Sequence, residues 1–336
     1  MQYSKLGNST LNVSKICLGT MTFGEQNTQA EAFQQLDMSL DLGVNFIDCA
    51  EMYPVPGKAE TQGKTEEYIG NWLQKSGARD QVILATKVTG RSPSMTWIRG
   101  ENNCLNTENI KLAVEGSLQR LKTDCIDLYQ LHWPDRSSNM FGMTSYPYTE
   151  DLNYAADLEE SLEALGALIR EGKVKYIGLS NETPWGTLKC IHLAESKGLP
   201  LIQSVQNPYS LLNRSYEWGM SEIAHRENIG LLAYSPLAFG VLSGKYLNGA
   251  RPQGTRLELF GNHFKRYLNG NAGMATESYM KIARKFDLDP VKMSLSFVNT
   301  RPFVRSNIIG ATNLEQLKQN IESINYEIPP EALAAI

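Results

Sequence analysis

The chain lacks the long hydrophobic runs that membrane proteins and secreted precursors carry. No segment of its 336 residues reaches the roughly 20 consecutive apolar residues that a membrane-spanning helix needs, and no apolar stretch of signal-peptide length follows Met1. There is no block of basic residues, and the formal net charge is −4. We therefore expect a cytoplasmic protein that binds neither membranes nor nucleic acids.

Paired cysteine motifs are also missing. The five cysteines (Cys17, Cys49, Cys104, Cys125 and Cys190) are scattered, and none belongs to a CxxC pair or has the spacing of a zinc site. We expect them to be reduced, to serve as small apolar residues and to bind no metal.

Two common nucleotide-binding motifs are absent. A doubly wound dinucleotide-binding sheet expects G-x-G-x-x-G after its first strand, but residues 16–24 read ICLGTMTFG. Residues 240–246 (GVLSGKY) approach a P-loop, yet this segment is one residue short and ends in tyrosine. Both observations argue against these two nucleotide-binding folds.

Strand and helix patterns instead alternate eight times along the chain, after a hairpin-like start over residues 3–6 and 11–16. Parallel strands buried on both faces explain why the strand-like runs are short and uniformly apolar. The pattern predicts an α/β fold, a (β/α)8 TIM barrel with an N-terminal β-hairpin, formed by residues 1–336 as a single domain. Strands are expected over 16–18, 45–48, 82–86, 126–131, 176–179, 204–206, 230–234 and 306–309, and helices over 30–42, 65–74, 107–121, 158–171, 185–197, 217–227, 275–286 and 314–324.

Four proton-carrying side chains lie at or just beyond the ends of predicted strands: Asp48, Tyr53, Lys87 and His132. In a barrel these ends converge on the face that holds the chemistry. A buried lysine needs a carboxylate partner, which Asp48 supplies, and an ammonium near Tyr53 would lower the tyrosine pKa from its usual value of about 10. Each residue alone also fits an ordinary structural role. Together they predict a proton donor for a carbonyl group.

Several segments, in this order and spacing, resemble the aldo-keto reductase family and most of all its bacterial Tas-type subgroup. The resemblance implies that Tyr53 is the general acid, that Lys87 and Asp48 tune its pKa, and that His132 positions the carbonyl. It also implies NADP(H)-dependent reduction of aldehydes or ketones to alcohols. The matching segments are 19–24 (GTMTFG), 48–53 (DCAEMY), 86–87 (TK), 127–134 (DLYQLHWP), 178–181 (GLSN), 205–209 (VQNPY) and 309–312 (IGAT).

The same resemblance implies a nicotinamide dinucleotide lying across the barrel mouth. Ser180, Asn181 and Gln206 match residues that hydrogen-bond the carboxamide, and Tyr234 matches the aromatic platform under the ring. The pyrophosphate and adenosine groups, with the remaining contacts, are assigned to Thr20, Met21, Asp48, Ser235, Pro236, Leu237, Gly240, Gly244, Lys245, Arg256, Gly310, Thr312, Gln316 and Asn320.

The choice between NADP(H) and NAD(H) depends on few residues. Many family members have a basic residue where Gln316 stands, close to the 2′-phosphate, and its absence weakens the prediction of NADP(H). Lys245 and Arg256 on the long loop favour NADP(H), as does the resemblance to potassium-channel β subunits, which also have glutamine there. We therefore expect NADP(H).

The substrate is not evident from the sequence beyond a small carbonyl compound, and no protein partner is indicated. Phe141, Tyr146, Tyr148, Tyr154 and Trp97 lie in loops that follow strands, where they would line an apolar pocket or pack the loops against each other. Two other functions stay open. One is a nucleotide-binding regulatory protein with low turnover, similar to the channel β subunits. The other is a TIM-barrel lyase or aldolase that forms a Schiff base at Lys87.

Overall fold

The computed structural model describes residues 1–148, 157–261 and 263–336. Its strands are β1 (Tyr3–Lys5), β2 (Asn12–Ser14), β3 (Ile16–Gly19), β4 (Phe46–Asp48), β5 (Ile83–Val88), β6 (Ile126–Leu131), β7 (Val174–Ser180), β8 (Ile202–Pro208), β9 (Gly230–Tyr234) and β10 (Val304–Ile309). Its α-helices are α1 (Gln29–Asp41), α2 (Lys64–Ser76), α3 (Thr107–Leu121), α4 (Leu158–Arg170), α5 (Pro184–Lys197), α6 (Met220–Arg226), α7 (Arg256–Phe260), α8 (Gly270–Lys285), α9 (Pro290–Asn299), α10 (Leu314–Glu322) and α11 (Pro330–Ala335).

Eight parallel strands close into a barrel in the order β10, β3, β4, β5, β6, β7, β8, β9. Strands β1 and β2 form a separate antiparallel hairpin in which Tyr3 pairs with Ser14. The predicted (β/α)8 barrel with an N-terminal hairpin is confirmed, and each predicted barrel strand overlaps an observed one. No helix in these ranges is long and apolar enough to cross a membrane.

Between β9 and β10 the sequence-based assignment is incomplete. The helix predicted over 275–286 is confirmed as part of α8, but α9, which immediately precedes β10 and contacts it, was not predicted. Six consecutive residues of α9, 293–298, are all buried, and they include Ser294 and Ser296, so its polar positions do not mark an exposed face. Its start signals are nevertheless in the sequence, because the Asp289 side chain accepts from Lys292 N and Pro290 occupies the first turn.

Residues that point into the barrel change character along the strands. At the N-terminal end they form an apolar cluster with the hairpin, which we call the barrel floor: Leu6, Leu11, Val13, Cys17, Phe46, Ala85, Leu128, Leu232 and Ile308. Two residues further along β4, β5 and β6, the same side of each strand carries Asp48, Lys87 and Gln130. With Gln206 of β8, these three form what we call the polar layer.

The outer faces of the strands pack against the surrounding helices and form the main hydrophobic core, which includes Ile47, Leu84 and Tyr129. All five cysteines are free, and Cys17, Cys49 and Cys190 are buried. The fold therefore leaves one open barrel end, at the C-terminal ends of the strands, where the loops carrying Tyr53, His132 and Tyr234 begin.

Candidate active site

A buried ion pair joins neighbouring strands β4 and β5 at this open end. Lys87 Nζ lies 2.7 Å from Asp48 Oδ2 and also donates to the Cys49 carbonyl oxygen at 2.7 Å. The exposed side-chain fractions are 0% for Lys87 and 3% for Asp48. Burial lowers the pKa of Lys87, but the Asp48 carboxylate and the nearby Tyr53 raise it by more, so this pKa lies above its ordinary value. Lys87 is therefore an ammonium at neutral pH.

The second oxygen of Asp48 is held by two amides of the polar layer. Gln206 Nε2 donates to Asp48 Oδ1 at 2.8 Å, and Gln130 Nε2 approaches the same oxygen at 3.4 Å. Gln130 Oε1 in turn accepts from Gln206 Nε2 at 3.2 Å. Because the carboxylate is satisfied on both oxygens, its charge is tolerated in the interior.

Sequence reasoning missed Gln130. It is a fully buried amide, two residues before His132 and so on the inward face of β6, whereas Asp127, the other polar residue of this run, lies on the opposite face. That polar residue at an inward-facing position was the signal that could have identified it.

Tyr53 and His132 lie next to this ion pair. Lys87 Nζ is 5.1 Å from the Tyr53 ring centroid, and the Tyr53 and His132 ring centroids are 5.7 Å apart with nearly perpendicular planes. The four predicted catalytic side chains are thus brought together on one face of the barrel.

The prediction that the pKa of Tyr53 is lowered is wrong for this structure. Burial raises the pKa of Tyr53 to about 12, and the negative charge of Asp48 acts in the same direction, whereas Lys87 lowers it. The Lys87 ammonium lowers the pKa of Tyr53, as predicted, but by less than burial raises it. Tyr53 is therefore a fully protonated phenol at neutral pH.

His132 is a neutral imidazole. Burial, and then the positive charge of Lys87, hold the pKa of His132 well below its usual value. Its Nδ1 is buried and has no hydrogen-bond partner among the described residues. A neutral ring beside Tyr53 is suited to hydrogen bonding with an uncharged carbonyl oxygen.

The loop that carries Tyr53 is fixed by a buried salt bridge that sequence reasoning did not find. Arg99 contacts both oxygens of Glu51, with distances of 2.6 Å and 2.8 Å, and Thr89 N donates to Glu51 Oε1 at 2.5 Å. Gly63 N donates to the Tyr53 carbonyl oxygen at 2.9 Å. Since the loops after β4 and β5 are clamped together, Tyr53 and Lys87 keep a constant relative position.

The residues assigned to the nicotinamide group meet beside His132. Asn181, at a φ of 53°, donates from Nδ2 to the His132 carbonyl oxygen at 2.8 Å, and its Oδ1 accepts from the Tyr234 hydroxyl at 2.7 Å. Ser180 Oγ donates to the Gln206 carbonyl oxygen at 2.9 Å. Amides, a hydroxyl and an aromatic ring are the groups that a carboxamide-bearing ring requires.

The loop after β9 supplies groups suited to phosphates. It leaves the barrel through Ser235, Pro236 and Leu237, and Ser235 has a φ of 55°. The backbone N–H groups of Gly240 and Gly244 donate within the loop, to Leu237 O and Val241 O, so they are already occupied here. The available donors are therefore side chains.

The side chains of Lys245 and Arg256 in this loop can serve as those donors. Lys245 is exposed, with its Nζ 5.2 Å from the Tyr246 ring centroid. Burial lowers the pKa of Arg256, which lies over the Phe264 ring, and its Nε is buried without a hydrogen-bond partner in the described part of the chain. A guanidinium in this state fits a phosphate group.

The segment assigned to the adenosine end is also assembled. Gln316 Oε1 accepts from the backbone N–H and the hydroxyl of Thr312, both at 3.2 Å, and Asn320 Nδ2 donates to Gly310 O at 3.1 Å. Thr20 donates its hydroxyl to the Asp48 carbonyl oxygen at 2.8 Å, and Met21 O accepts from Val55 N. The donors and cations around the mouth together fit a dinucleotide.

Comparison with known proteins decides the family. The model of the Aldo/keto reductase family matches residues 15–336. The chain belongs to the aldo/keto reductase family. It is 49% identical over 336 residues to "Protein tas" of Escherichia coli, covering 100% of this chain and 96% of that protein, which confirms the predicted Tas-type resemblance.

More distant relatives cover almost the whole chain as well. This aldo/keto reductase is 33% identical to the "Uncharacterized oxidoreductase YrpG" of Bacillus subtilis, over 99% of this chain and 94% of the relative. It is 29% identical to the "L-glyceraldehyde 3-phosphate reductase" of Escherichia coli, over 97% and 88%. The protein is therefore an oxidoreductase.

The geometry of this aldo/keto reductase argues against a Schiff base at Lys87. An imine requires a neutral, accessible amine, but Lys87 has no exposed surface, is ion-paired and has a raised pKa. Its position suits a fixed positive charge.

An apolar wall stands beside the Tyr53 side chain. Met52, Ile98 and Trp133 form a buried cluster that Tyr53, Met95 and Met140 pack against. Of the predicted aromatic wall, Phe141 reaches Trp133, with ring centroids 5.9 Å apart, whereas Tyr146 and Tyr148 are exposed and pack edge to face on each other. Trp97 is 40% exposed, and Tyr154 lies outside the described residues. Methionine and tryptophan side chains therefore line one side of the barrel mouth in this aldo/keto reductase.

Proposed function

We propose that this enzyme reduces aldehydes or ketones to alcohols with NADPH, and that Tyr53 donates the proton. The observation that carries the proposal is the buried Lys87–Asp48 ion pair, with Nζ 5.1 Å from the Tyr53 ring centroid. An ordinary structural role does not account for a fully buried ammonium beside a protonated phenol and a neutral imidazole.

The residues act on the carbonyl oxygen. When bound, NADPH supplies a hydride to the carbonyl carbon. Tyr53 gives its phenolic proton to the oxygen as negative charge develops there, and the neutral His132 ring positions that oxygen by a hydrogen bond. The hydride and the proton together account for the two hydrogen atoms that the alcohol gains.

Lys87 and Asp48 act on the phenolate that this transfer leaves. The ammonium is held by Asp48, so it meets the new negative charge without reorganising. A pKa of about 12 keeps Tyr53 protonated before the reaction, and the adjacent ammonium limits the cost of its ionisation.

NADP(H) is proposed over NAD(H) because Arg256 has no carboxylate partner within the described residues and Lys245 lies on the same loop. Carbonyl reduction is supported by the relative named L-glyceraldehyde 3-phosphate reductase. A small carbonyl compound as the substrate and a cytoplasmic location remain predictions.

The test is nucleotide oxidation by purified protein with a panel of aldehydes, using NADPH and NADH in parallel. We expect aldehyde-dependent oxidation and a kcat/KM at least about tenfold higher with NADPH, the effect of one charge-assisted contact to the 2′-phosphate. In an Arg256→Gln variant that preference should shrink.

Two results would contradict the proposal. Tight NADPH binding without aldehyde-dependent oxidation would favour the regulatory protein. A borohydride-trapped adduct on Lys87 would favour Schiff-base chemistry.

A further inference from the structure

Arg266 differs from Arg99 and Arg136, two other arginines of the loops around the barrel mouth, and resembles Arg256 in having no carboxylate partner among the described residues. Arg99 is paired with Glu51, and Arg136 with Glu182. Arg266 forms no ion pair with any carboxylate in the described ranges, and its Nε is buried without a hydrogen-bond partner there. A half-buried cation without a counterion is costly unless a ligand supplies one.

The guanidinium is held in place by aromatic rings. Its Cζ lies 5.7 Å, 5.8 Å and 6.0 Å from the ring centroids of Phe141, Phe239 and Tyr267. Gly142 leaves the space for the side chain, because a Cβ there would lie 3.0 Å from Arg266 Cγ. Ring faces fix the position of a cation but do not neutralise it, so its donors stay available to an anion.

The position is close to the catalytic residues. Arg266 Nη1 is 3.4 Å from the Tyr234 hydroxyl, which itself donates to Asn181 Oδ1. On its other side Arg266 reaches Phe141, which packs on Trp133, and the Trp133 and His132 ring centroids are 4.8 Å apart. The cation therefore bridges the loops after β9 and β6 across the mouth.

We propose that Arg266 binds an anionic group on the substrate, so that the preferred substrates are aldehydes carrying a carboxylate or phosphate at the end remote from the carbonyl. This inference rests on the proposed carbonyl reduction. A substrate is favoured over the dinucleotide because Arg266 reaches the Trp133 side of the mouth. The cations assigned to the cofactor, Lys245 and Arg256, lie against Tyr246 and Phe264.

The experiment compares 4-carboxybenzaldehyde with its methyl ester, which has nearly the same shape but no charge, and succinic semialdehyde with its methyl ester. Initial rates are measured at saturating NADPH for the wild type, Arg266→Gln, Arg266→Lys and Lys265→Gln. Lys265 is the exposed neighbour on the same loop, so its variant removes the same charge without touching the site.

Loss of a charge-assisted contact should lower kcat/KM for the acids roughly tenfold to one-hundredfold in Arg266→Gln and leave the esters within about twofold. Arg266→Lys should recover part of the loss, and Lys265→Gln should resemble the wild type. The dissociation constant for NADPH, measured by tryptophan fluorescence, should be unchanged, and equal melting temperatures would show that the variants fold.

Three outcomes would overturn the inference: acids and esters losing activity by the same factor, Lys265→Gln producing the same loss, or NADPH affinity falling as much as acid turnover. The last would assign the anion to the cofactor. If the wild type reduces no aldehyde at all, the proposed function fails. Calorimetric binding of 4-carboxybenzaldehyde to the wild type and Arg266→Gln then still tests the anion site: weaker binding to the variant supports it, and equal or absent binding rejects it.

Discussion

The barrel floor and the polar layer are built on the same strands, two residues apart. Phe46 is followed by Asp48 on β4, and Ala85 by Lys87 on β5. That spacing is only about 6.6 Å along a strand, yet the interior changes from purely apolar to charged. The floor excludes water and contributes by packing, whereas the polar layer places a buried ion pair where it opposes stability unless each charge is satisfied.

The contrast indicates that the barrel floor and the polar layer have different roles. Side chains of the floor and of the hairpin close the N-terminal end of the barrel. The polar layer therefore has an apolar, low-dielectric environment on that side. In that environment the charge of Lys87 acts more strongly on a neighbouring phenol than it would in water. Floor substitutions should therefore change stability alone, whereas polar-layer substitutions should change catalysis as well as stability.

The largest expected effect is that of Lys87→Met. Removing the ammonium leaves Asp48 as an uncompensated buried charge, which should lower the free energy of unfolding by about 3–5 kcal/mol. Reductase activity should fall by roughly two to four orders of magnitude, because the general acid loses its charged partner. Urea unfolding and steady-state rates measure both quantities.

Adding Asp48→Asn to Lys87→Met separates the two roles. Since the buried charge is then gone as well, more than half of the lost stability should return, while activity stays as low as in Lys87→Met. A double variant no more stable than Lys87→Met alone would show that the ion pair itself stabilises the fold.

Next in size is Phe46→Ala in the floor. Truncating this fully buried ring should cost about 3–5 kcal/mol of unfolding free energy, through lost burial and a residual cavity. Turnover per folded molecule should remain within about twofold of the wild type, since the hydrogen bonds that hold Asp48 and Lys87 do not involve Phe46. A large drop in kcat with unchanged stability in Phe46→Ala would contradict the different roles proposed for the floor and the polar layer.

The smallest effect is a pH dependence carried by His132. Its folded pKa is well below the unfolded value of about 6.5, so the unfolded chain binds the extra proton first as the pH falls. Stability from this residue is complete above pH 6.5 and declines below it, by up to about 1.4 kcal/mol per pH unit. Urea unfolding of the wild type and His132→Gln between pH 8 and 5 should show a shallower slope for the variant. Parallel slopes would mean that His132 titrates normally.

The repeating pattern of the chain was sufficient to predict the barrel, its strand order around the mouth and the four residues at the strand ends. Local signals sufficed because the ends of parallel strands must converge in a closed barrel. Helix α9 was missed for a physical reason, since its buried residues 293–298 include Ser294 and Ser296, so polarity along the segment does not indicate which positions are exposed.

What could not be predicted depends on contacts between distant loops. Arg99 meets Glu51 across 48 positions, and Arg266, in the loop after β9, meets Phe141 in the loop after β6. The direction of the Tyr53 pKa shift could not be predicted either. Burial raises this pKa and the Lys87 ammonium lowers it, so the direction depends on which effect is larger. Deciding between such opposing effects requires the positions of the atoms.

The most direct test of Tyr53 as the proton donor is the single-turnover rate of aldehyde reduction at saturating NADPH in Tyr53→Phe. Tyr129→Phe is the matched control, because Tyr129 is a buried tyrosine on the outer side of β6, and its hydroxyl has no hydrogen-bond partner in the described residues. The expected result is a loss of roughly two to four orders of magnitude for Tyr53→Phe and a rate within about twofold of wild type for Tyr129→Phe. A Tyr53→Phe variant that keeps more than half of the wild-type rate, with NADPH bound, would contradict the account.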